Sequence, residues 1–316
     1  DNAARPGTHL PSTCMTLTDR TIVVAGCTGQ VGGPVARALA AQGNEVHGLA
    51  RFKDPAVREE MEAAGVTCHA VDLIAPDLST VTAEPDHLLN FAVTKTGIWQ
   101  KDLAANADAA GLLMQHCRGA ASVLHCSSTA VYAPTGGEPM AEDSPLGQDH
   151  HQWMMPTYST AKTAAESVAS FAAKAFDLPT TIARLCVPYG DEGGWPLFHL
   201  LMAQAGQEIP VHTDGSRYNV IHHDDIVDQI PALLDAAATP ATILNWGGDE
   251  VVSVEEWTRY MCDLADAPEP TFAPTDHTIP SAVIDTRRSR PVLGPCRVAW
   301  HDGFRRLTQR ILAGQG

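Results

Sequence analysis

The 316-residue chain is short of positive charge. Its 21 Lys and Arg residues stand against 37 Asp and Glu residues, so the formal net charge at pH 7 is −16. Nucleic-acid binding needs clustered Lys and Arg, and this composition therefore argues against a nucleic-acid partner. The sequence also lacks a run of about 18 apolar residues that could cross a membrane. We expect a cytoplasmic protein with no membrane partner.

Cysteine pairs with redox or metal-ligand spacing are missing too. None of the eight cysteines forms a CxxC pair, which predicts free thiols in a reducing compartment. The His- and Asp-containing stretches 149–151 and 222–225 lack the context of a zinc or calcium motif, so we predict no metal site. Residues 1–18 are polar without an apolar signal core, and we interpret them as a tail or leader.

A glycine-containing turn follows the first apolar run. Residues 21–26 read TIVVAG, which is typical of a strand buried on both faces. GCTGQVG (26–32) comes next and opens a stretch with helical apolar spacing. In a strand–turn–helix unit, such glycines let the backbone approach a diphosphate at the helix N-terminus. The cofactor contacts predicted in this turn are Gly26, Thr28, Gly29, Gln30, Val31 and Gly32.

The residues after the second predicted strand (45–50) bear on the choice of cofactor. Arg51 and Lys53 stand where an acidic residue would bind a ribose 2′-hydroxyl. Two cations suit a 2′-phosphate, so we predict NADP with NAD as the alternative, unless both are simply solvated loop charges. Further cofactor contacts are predicted at the ends of later strands, at Asp72, Leu73, Phe91, Ala92 and Val93.

Predicted strands and helices alternate along the first part of the chain. The strand patterns cover 67–73, 87–93, 122–128 and 180–185, and helical patterns at 101–117 and 158–176 lie between them. This alternation predicts an α/β fold with a doubly wound parallel (Rossmann) sheet, which binds ligands at the C-terminal ends of its strands.

Two parts of unequal size are expected. The NAD(P)-binding domain is predicted over 19–188, with a returning segment over 216–262. A smaller substrate-binding part is predicted from 189–215 and 263–316.

The pentapeptide YSTAK (158–162) indicates proton-transfer chemistry. Tyr158 and Lys162 are four residues apart in a predicted helix, so their side chains share a face. A nearby ammonium stabilises the phenolate of a tyrosine, which makes Tyr158 a candidate general acid–base. Ser127 and Ser128, at the end of a predicted strand, are candidate hydroxyls for holding the reacting oxygen. Taken alone, YSTAK is also compatible with an exposed helical pair.

Together these motifs resemble the extended short-chain dehydrogenase/reductase family, from about residue 20 to residue 310. GCTGQVG resembles its cofactor motif, CSSTAVY its active-site strand end, and YSTAK its catalytic pair. RLCVPYG resembles the segment under the nicotinamide, and RYNVIH a later Arg-containing motif. The resemblance implies an NAD(P)-dependent enzyme.

Residue roles follow from the same resemblance. It implies Ser128, Tyr158 and Lys162 as catalytic residues, and Asn106 as a support of the active site through water. Tyr158, Lys162 and Val187 would also contact the cofactor. A homodimer formed through the helices near 101–117 and 158–176 is implied as well.

Departures from the family pattern bear on the reaction. Sugar 4,6-dehydratases of the family carry an Asp-Glu pair where this chain has Thr129 and Ala130, so that class is disfavoured. Nucleotide-sugar enzymes usually carry an Asn at the position of Val187, which offers an apolar wall instead. We therefore expect an oxidoreductase acting on a secondary alcohol or ketone, ahead of a nucleotide-sugar 4-epimerase. A non-catalytic dinucleotide sensor is the third hypothesis.

The predicted small-molecule substrate has four expected contacts. These are Ser128, Thr129, Trp153 and Arg217. Arg217 would pair with a substrate diphosphate, or else form a structural ion pair with Asp224 or Asp225. Trp153 would suit an aromatic ligand, or else pack under its own loop.

The stretch GDEGGW (190–195) is predicted to be a mobile loop that borders the same cleft. Its two carboxylates, Asp191 and Glu192, would repel a substrate diphosphate if they faced inward.

Overall fold

The first half of the described chain alternates strands with helices. The computed structural model describes residues 17–147 and 152–315. The elements are, in chain order, β1 (Thr21–Ala25), α1 (Gly32–Ala41), β2 (Glu45–Ala50), α2 (Pro55–Ala63), β3 (Val66–Ala70), β4 (His87–Asn90), α3 (Trp99–Leu103), α4 (Ala109–His116), β5 (Ser122–Ser128), α5 (Tyr158–Phe176) and β6 (Thr180–Leu185). A π-helical turn, Ala104–Asp108, joins α3 to α4, and a 3-10 turn, Thr129–Val131, follows β5.

The second half of the described chain contains short strands, four helices of at least ten residues and one short helix. The elements are, in chain order, β7 (Pro188–Gly190), β8 (Gly193–Gly194), α6 (Trp195–Gln204), β9 (Ile209–Val211), β10 (Arg217–Asn219), β11 (Ile221–His222), α7 (His223–Asp235), β12 (Thr242–Trp246), β13 (Val251–Ser253), α8 (Val254–Leu264), β14 (Phe272–Pro274), α9 (Arg290–Leu293) and α10 (Trp300–Gln315).

Seven parallel strands form the central sheet. Their order is β12-β6-β5-β4-β1-β2-β3, and every neighbouring pair is parallel. The strand order reverses direction between β1 and β4, and ligands of such sheets bind at the carboxyl ends of the strands beside this point. The predicted doubly wound parallel α/β fold is confirmed.

Apolar residues on both faces of the sheet hold the helices in place. On one face Leu39 of α1 and Ile230 of α7 pack with Val24 of β1. On the other face Leu113 of α4 and Ala169 of α5 pack in another cluster. A strand of a parallel sheet is buried on both faces, which explains why the sheet strands read as apolar runs rather than as alternating patterns.

A separate apolar cluster lies in the second half. Trp257 of α8, Tyr218 of β10 and Phe304 of α10 are fully buried in it. β12 joins the central sheet, whereas β10 pairs with β13 and α8 follows directly from β13. The division into a cofactor domain and a smaller substrate-binding part stays a prediction.

The structure also bears on membrane-spanning helices, disulfides and metal sites. No helix in the described ranges is long and apolar enough to span a membrane. The seven cysteines at described positions are unpaired thiols. Within 17–147 and 152–315, no three His, Cys, Asp or Glu side chains gather as metal ligands. Cys14 and the stretch 149–151 lie outside the described residues.

Candidate active site

A cavity of about 360 Å³ opens at the carboxyl ends of the central strands. It brings together the glycine turn, the end of β5, the start of α5 and the segment after β6. The lining residues are Gly29, Gln30, Val31, Phe91, Val93, Lys95, Cys126, Ser127, Ser128, Thr129, Met154, Met155, Tyr158, Lys162, Leu185, Val187, Pro188, Trp195, Phe198, Tyr218, Ile279 and Ala282. Residues far apart in sequence therefore share one site.

The glycine turn between β1 and α1 has no room for side chains. Gly26 has φ of +79°, and a Cβ there would lie 2.7 Å from the backbone of Ala92. A Cβ on Gly32 would overlap the carbonyl oxygen of Gly26. The start of α1 thus lies directly against the end of β1, and Gly29 lines the cavity. This close approach of backbone and helix N-terminus fits the diphosphate of a dinucleotide.

Other predicted cofactor residues surround this turn. Gln30 donates a hydrogen bond of 2.9 Å to the carbonyl of Pro188, which ties the turn to the segment after β6. Thr28 is exposed in the turn, and Val31 lines the cavity. Val187, from the segment after β6, lines the same cavity.

At the end of β4 the chain turns into the cavity wall. Phe91 and Val93 line the cavity. Ala92 lies against Gly26, and its N–H donates to the side chain of Asn90. The predicted contacts at this strand end are therefore next to the glycine turn.

Arg51 and Lys53 are exposed after β2, in a loop where Phe52 adopts φ of +44°. In the described part of the chain neither cation has a hydrogen-bond or ion-pair partner, so both are available to a ligand. Asp72 follows β3, and its carboxylate accepts a hydrogen bond from the N–H of Ile74. Leu73, beside it, packs at the edge of the apolar cluster under the sheet.

The first two turns of α5 present both members of the predicted catalytic pair. Tyr158 is half-buried and lines the cavity. Lys162 is buried, and its Nζ donates a hydrogen bond of 2.9 Å to the carbonyl oxygen of Cys126. One of the three ammonium hydrogens is thereby held by β5, which fixes the direction in which the other two point.

Two neighbouring serines at the end of β5 have different partners. Ser127 donates its hydroxyl hydrogen to the carboxylate of Glu166 at 2.5 Å. Ser128 lines the cavity, and its Oγ accepts a hydrogen bond from the N–H of Ala130. The hydroxyl hydrogen of Ser128 therefore remains available for a ligand, whereas that of Ser127 is committed to Glu166.

Glu166 belongs to a buried ion pair that sequence reasoning missed. Arg184 of β6 donates to both carboxylate oxygens, at 2.9 and 2.8 Å, and its guanidinium lies 4.7 Å from the ring centre of Tyr132. Burial works to lower the pKa of Arg184, but Glu166 outweighs it, and the pKa is raised. Glu166 follows Lys162 by four residues in the same helix, and this spacing was the available signal for a shared face.

Asn106 supports the site from the π-helical turn, outside the cavity lining. Its amide accepts a hydrogen bond of 3.1 Å from the N–H of Thr94. It also donates to the carbonyls of Thr94 and Asp102, at 2.7 and 2.6 Å. The amide thereby holds the loop after β4, and its predicted action through water stays a prediction.

Asp102, on α3, ties the same loop to the start of α5. Its carboxylate accepts hydrogen bonds from Thr157, from both the N–H and the hydroxyl of Thr96, and from the N–H of Gly97. Burial would raise the pKa of Asp102, but these hydrogen bonds lower it below its usual value. A stable carboxylate therefore positions the residue that immediately precedes Tyr158.

The predicted substrate residues do not all meet in this cavity. Thr129 lines it next to Ser128. Trp153 instead lines a second cavity of about 350 Å³, where its ring lies tilted at 35° to that of His277, with the ring centres 4.2 Å apart. Arg217 is exposed, and its guanidinium lies beside Gly137, another lining residue of the second cavity.

The expected alternative of an ion pair between Arg217 and Asp224 or Asp225 is wrong. Arg306, which is 82 residues from Asp224 in sequence, takes that partner at 2.7 Å. Asp225 accepts hydrogen bonds from the backbone N–H groups of Arg297 and Val298.

The stretch predicted as a mobile loop over 190–195 contains the turn between the antiparallel strands β7 and β8, and its two carboxylates are held by cations outside the cavity. Glu192 pairs with Arg37 of α1 at 2.7 Å. Asp191 pairs with Arg306 of α10 at 2.7 Å and with the ring of His222 at 3.1 Å. Neither carboxylate lines the cavity, so neither repels a ligand at close range.

Several cavity residues were not predicted as ligand contacts. They come from loops and from the second half of the chain, and they are Lys95, Phe198, Tyr218, Ile279 and Ala282. The available signal was the apolar content around Met154 and Trp195. Nothing in the sequence indicated that residues 279–282 would approach residues 126–129.

The glycine turn, the Tyr-Lys pair and the strand-end serine meet at one cavity, which is the arrangement that the sequence resemblance implied. The model of the NAD dependent epimerase/dehydratase family matches residues 22–247. The chain belongs to this family. Its expected membership of the extended short-chain dehydrogenase/reductase group is confirmed, and so is its nature as an NAD-dependent enzyme of the epimerase and reductase kind.

Curated relatives along nearly the whole chain include reductases. A dTDP-4-dehydro-6-deoxy-D-allose reductase of Streptomyces bikiniensis is 26% identical over 304 residues, covering 87% of this chain and 90% of the relative. A 3-diazoavenalumate denitrifying reductase of a Streptomyces species is 27% identical over 312 residues, covering 90% of this chain and 99% of the relative.

Solved structures agree in fold. The UDP-glucuronic acid 4-epimerase of Bacillus cereus, bound to UDP-glucuronic acid and NAD, matches with a TM-score of 0.79 and 18% identity over 93% of this chain and 99% of that chain. The UDP-glucose 4-epimerase of Thermotoga maritima matches with a TM-score of 0.79 and 16% identity, over 94% and 100%. At this identity the likeness concerns the fold alone.

Proposed function

We propose that this protein is an NADP-dependent reductase that converts a ketone into a secondary alcohol, with Tyr158 as the proton donor. One observation carries the proposal. Ser128 of β5 and the pair Tyr158 and Lys162 of α5 line the same cavity as Gly29 of the glycine turn. The two Streptomyces reductases described above, each aligned over nearly the whole chain, support net reduction.

Each of the three side chains has a separate task. When bound, the nicotinamide supplies the hydride or accepts it in the reverse direction. The hydroxyl of Ser128 donates a hydrogen bond to the carbonyl oxygen of the substrate, and Tyr158 donates its phenolic proton to the same oxygen. Lys162, anchored by the carbonyl of Cys126, stabilises the phenolate that remains.

NADP is proposed over NAD because of the loop after β2. Arg51 and Lys53 are two exposed cations without partners in the described chain, and no acidic residue stands between them. An arginine can bind a phosphate through two parallel hydrogen bonds. The family description and the structural neighbours name NAD. The proposed preference for NADP therefore rests on the loop after β2 in this chain.

Replacement of Tyr158 by Phe tests the mechanism. We expect Tyr158→Phe to lower turnover by at least about 10²-fold, since a positioned acid–base contributes roughly this much, while NADPH still binds. Tyr260→Phe on α8, outside the cavity lining, is the matched control and should leave turnover unchanged. Full turnover in Tyr158→Phe would contradict the mechanism, and wild-type binding without any turnover would favour the dinucleotide sensor.

A nucleotide-sugar 4-epimerase is the alternative function, since several solved neighbours of the same fold are UDP-sugar epimerases. A thermal-shift titration of the NADP-loaded protein with UDP, GDP, dTDP and CDP tests for a nucleotide-sugar substrate. A ligand that binds only the native state raises its stability by mass action. A saturable shift with one nucleotide would identify the sugar carrier, and the NADPH consumed per product formed would then separate the epimerase from a nucleotide-sugar reductase.

A homodimer and a cytoplasmic location stay predictions. The helices α4 and α5 carry exposed apolar side chains, with Phe171 69% and Leu112 42% exposed. A second copy would cover them. Sedimentation at a mass equal to one chain at micromolar concentration would contradict the dimer.

A further inference from the structure

We propose that the substrate is an aromatic or otherwise apolar carbonyl compound that carries a carboxylate and no nucleotide, and that Lys95 binds the carboxylate. This inference rests on the proposed function and specifies its substrate class. It is carried by three features of the cavity: an exposed apolar rim, a wall of packed aromatic rings, and a lining with positive charge but no negative charge.

The rim of the cavity is apolar and exposed. Val93, Met154 and Phe198 all line the cavity, and they are 46%, 50% and 62% exposed. They come from three separate loops or helices, yet they surround one opening. Contiguous exposed apolar surface marks a binding site, and a hydrophobic ligand would remove this surface from water.

The inner wall is aromatic and rigid. Trp195 meets Tyr218 edge to face, with their ring centres 5.3 Å apart. Trp257 packs behind both rings, 5.8 Å from Trp195 and 5.9 Å from Tyr218. Val187 adds an apolar surface at the position where an amide would have offered hydrogen bonds. This wall suits a flat apolar body better than a polyhydroxylated ring.

The charge of the lining opposes that of the whole protein. The chain has a formal net charge of −16, yet the described lining contains no Asp or Glu and two lysines, Lys95 and Lys162. Lys162 is buried and held by Cys126. Lys95 is exposed and has no hydrogen-bond or ion-pair partner in the described chain. Lys95 is therefore the cation of the lining that is available to an anionic group on the substrate.

The second cavity is less favourable for a diphosphate. It lies across the segment 278–282, because Ile279 and Ala282 line the first cavity while Thr278 lines the second. Its lining includes Asp214 and Asp276. Arg217 beside Gly137 supplies one positive charge against these two negative charges. A nucleoside diphosphate that extended from the first cavity into the second would meet this excess of negative charge.

A matched pair of probes tests the proposal, namely 4-acetylbenzoate and 4-acetylbenzamide, two aromatic ketones that differ in charge. Binding to the NADP-loaded protein is followed by tryptophan fluorescence, and reduction by the consumption of NADPH. We expect wild type to bind the carboxylate at least about 10-fold more tightly than the amide. Lys95→Gln should abolish this preference, and Lys95→Arg should retain it. Lys174→Gln, at an exposed site on α5, is the control and should behave as wild type.

Any of several results would overturn the inference. They are failure of 4-acetylbenzoate to bind, equal binding of both ketones by wild type, an unchanged preference in Lys95→Gln, and a loss of NADPH affinity in Lys95→Gln without loss of ketone affinity. The last would assign Lys95 to the cofactor. Displacement of 4-acetylbenzoate by dTDP or UDP would likewise overturn the exclusion of nucleotides.

The same experiment distinguishes failure of the substrate class from failure of the proposed reductase function. Reduction of both ketones at equal affinity would leave the reductase in place and remove the carboxylate preference. Preferential binding of the carboxylate that depends on Lys95, with no NADPH consumed, would retain the ligand class and remove the reductase.

Discussion

The hydroxyl of Ser127 donates a 2.5 Å hydrogen bond to the carboxylate of Glu166, which also holds the guanidinium of Arg184. Ser127 therefore fastens the end of β5 to α5 and β6. Its neighbour Ser128 also lines the cavity, but its Oγ accepts a hydrogen bond from the N–H of Ala130, so its hydroxyl hydrogen remains available for a ligand. Two adjacent serines thus divide structural and ligand-facing tasks, and this division predicts opposite consequences of removing each hydroxyl.

Ser128→Ala is expected to lower kcat by about 10²–10³-fold, because it removes a hydrogen-bond donor to the reacting oxygen. Its stability should stay close to that of wild type. Ser127→Ala is the matched control at the neighbouring position. It should lose about 1.5–3 kcal/mol of stability, the usual range for a hydrogen bond to a charged group, and retain most of its activity. Steady-state kinetics and urea unfolding measure both variants, and the reverse assignment of the two effects would contradict the geometry.

Arg184→Met is expected to destabilise the protein by about 3–5 kcal/mol, because it leaves the Glu166 carboxylate buried without its partner. The double variant with Glu166→Leu should lose less, since no uncompensated charge remains. Arg58→Ala, which breaks the exposed pair with Glu62, is the control and should lose at most about 0.5 kcal/mol. Urea midpoints measure all three. Equal losses of stability in Arg184→Met and Arg58→Ala would contradict the expected cost of leaving Glu166 buried without a partner.

Stability should fall as the pH is lowered from about 6.5 toward 4. Burial lowers the pKa of His199 to about 4, and its Nδ1 accepts a hydrogen bond from the indole N–H of Trp257. Protonation would place a hydrogen on that nitrogen. Because the pKa of His199 is lower in the folded than in the unfolded protein, the stability that the neutral ring contributes is fully present above about pH 6.5. It is lost at up to about 1.4 kcal/mol per pH unit as the pH falls toward the folded pKa.

His199→Gln tests this pH dependence, because glutamine can still accept from Trp257 but does not titrate. Its unfolding free energy should fall less steeply between pH 7 and pH 5 than that of wild type. His301→Gln, at an exposed site on α10, is the control for the substitution itself. A slope in His199→Gln equal to that of wild type would remove His199 as a source of acid sensitivity.

The pair Arg51→Ala with Lys53→Ala tests the cofactor preference. We expect the KM for NADPH to rise by at least about 10-fold, since two charge-assisted contacts to the 2′-phosphate are lost, while the KM for NADH changes little. Lys101→Ala, at an exposed site on α3, controls for the removal of a surface cation. Use of NADH by the wild-type protein with the same efficiency as NADPH would contradict the proposed preference for NADP and favour NAD as the cofactor.

The buried strands could be predicted from the sequence with good bounds. β5 and β6 have the predicted bounds, 122–128 and 180–185, and all of their residues are buried, as expected for strands of a parallel sheet. β4 was predicted to reach Val93 but ends at Asn90, whose side chain accepts from the N–H of Ala92 and turns the chain. A local hydrogen bond of this kind competes with the strand and leaves no periodic signal.

The candidate site could be predicted only where its residues come from regular elements. Tyr158 and Lys162 share a helix face, so their spacing alone placed them together. Lys95 and Phe198 reach the cavity through long-range packing that no local pattern encodes. The ion pair of Arg217 with Asp224 or Asp225, one of its two expected alternatives, was wrong for the same reason, because Asp224 pairs with Arg306 from the last helix.

Measuring the alcohol product and the reduced cofactor together is the most direct test of net reduction at this site. The protein is incubated with NADPH and a carbonyl compound that it turns over, and the alcohol formed is measured against the NADPH consumed. We predict equal amounts of both, and the loss of both in Tyr158→Phe with NADPH still bound. Product formed while NADPH remains constant would contradict net reduction and favour the epimerase, and turnover retained in Tyr158→Phe would contradict the assignment of the proton donor.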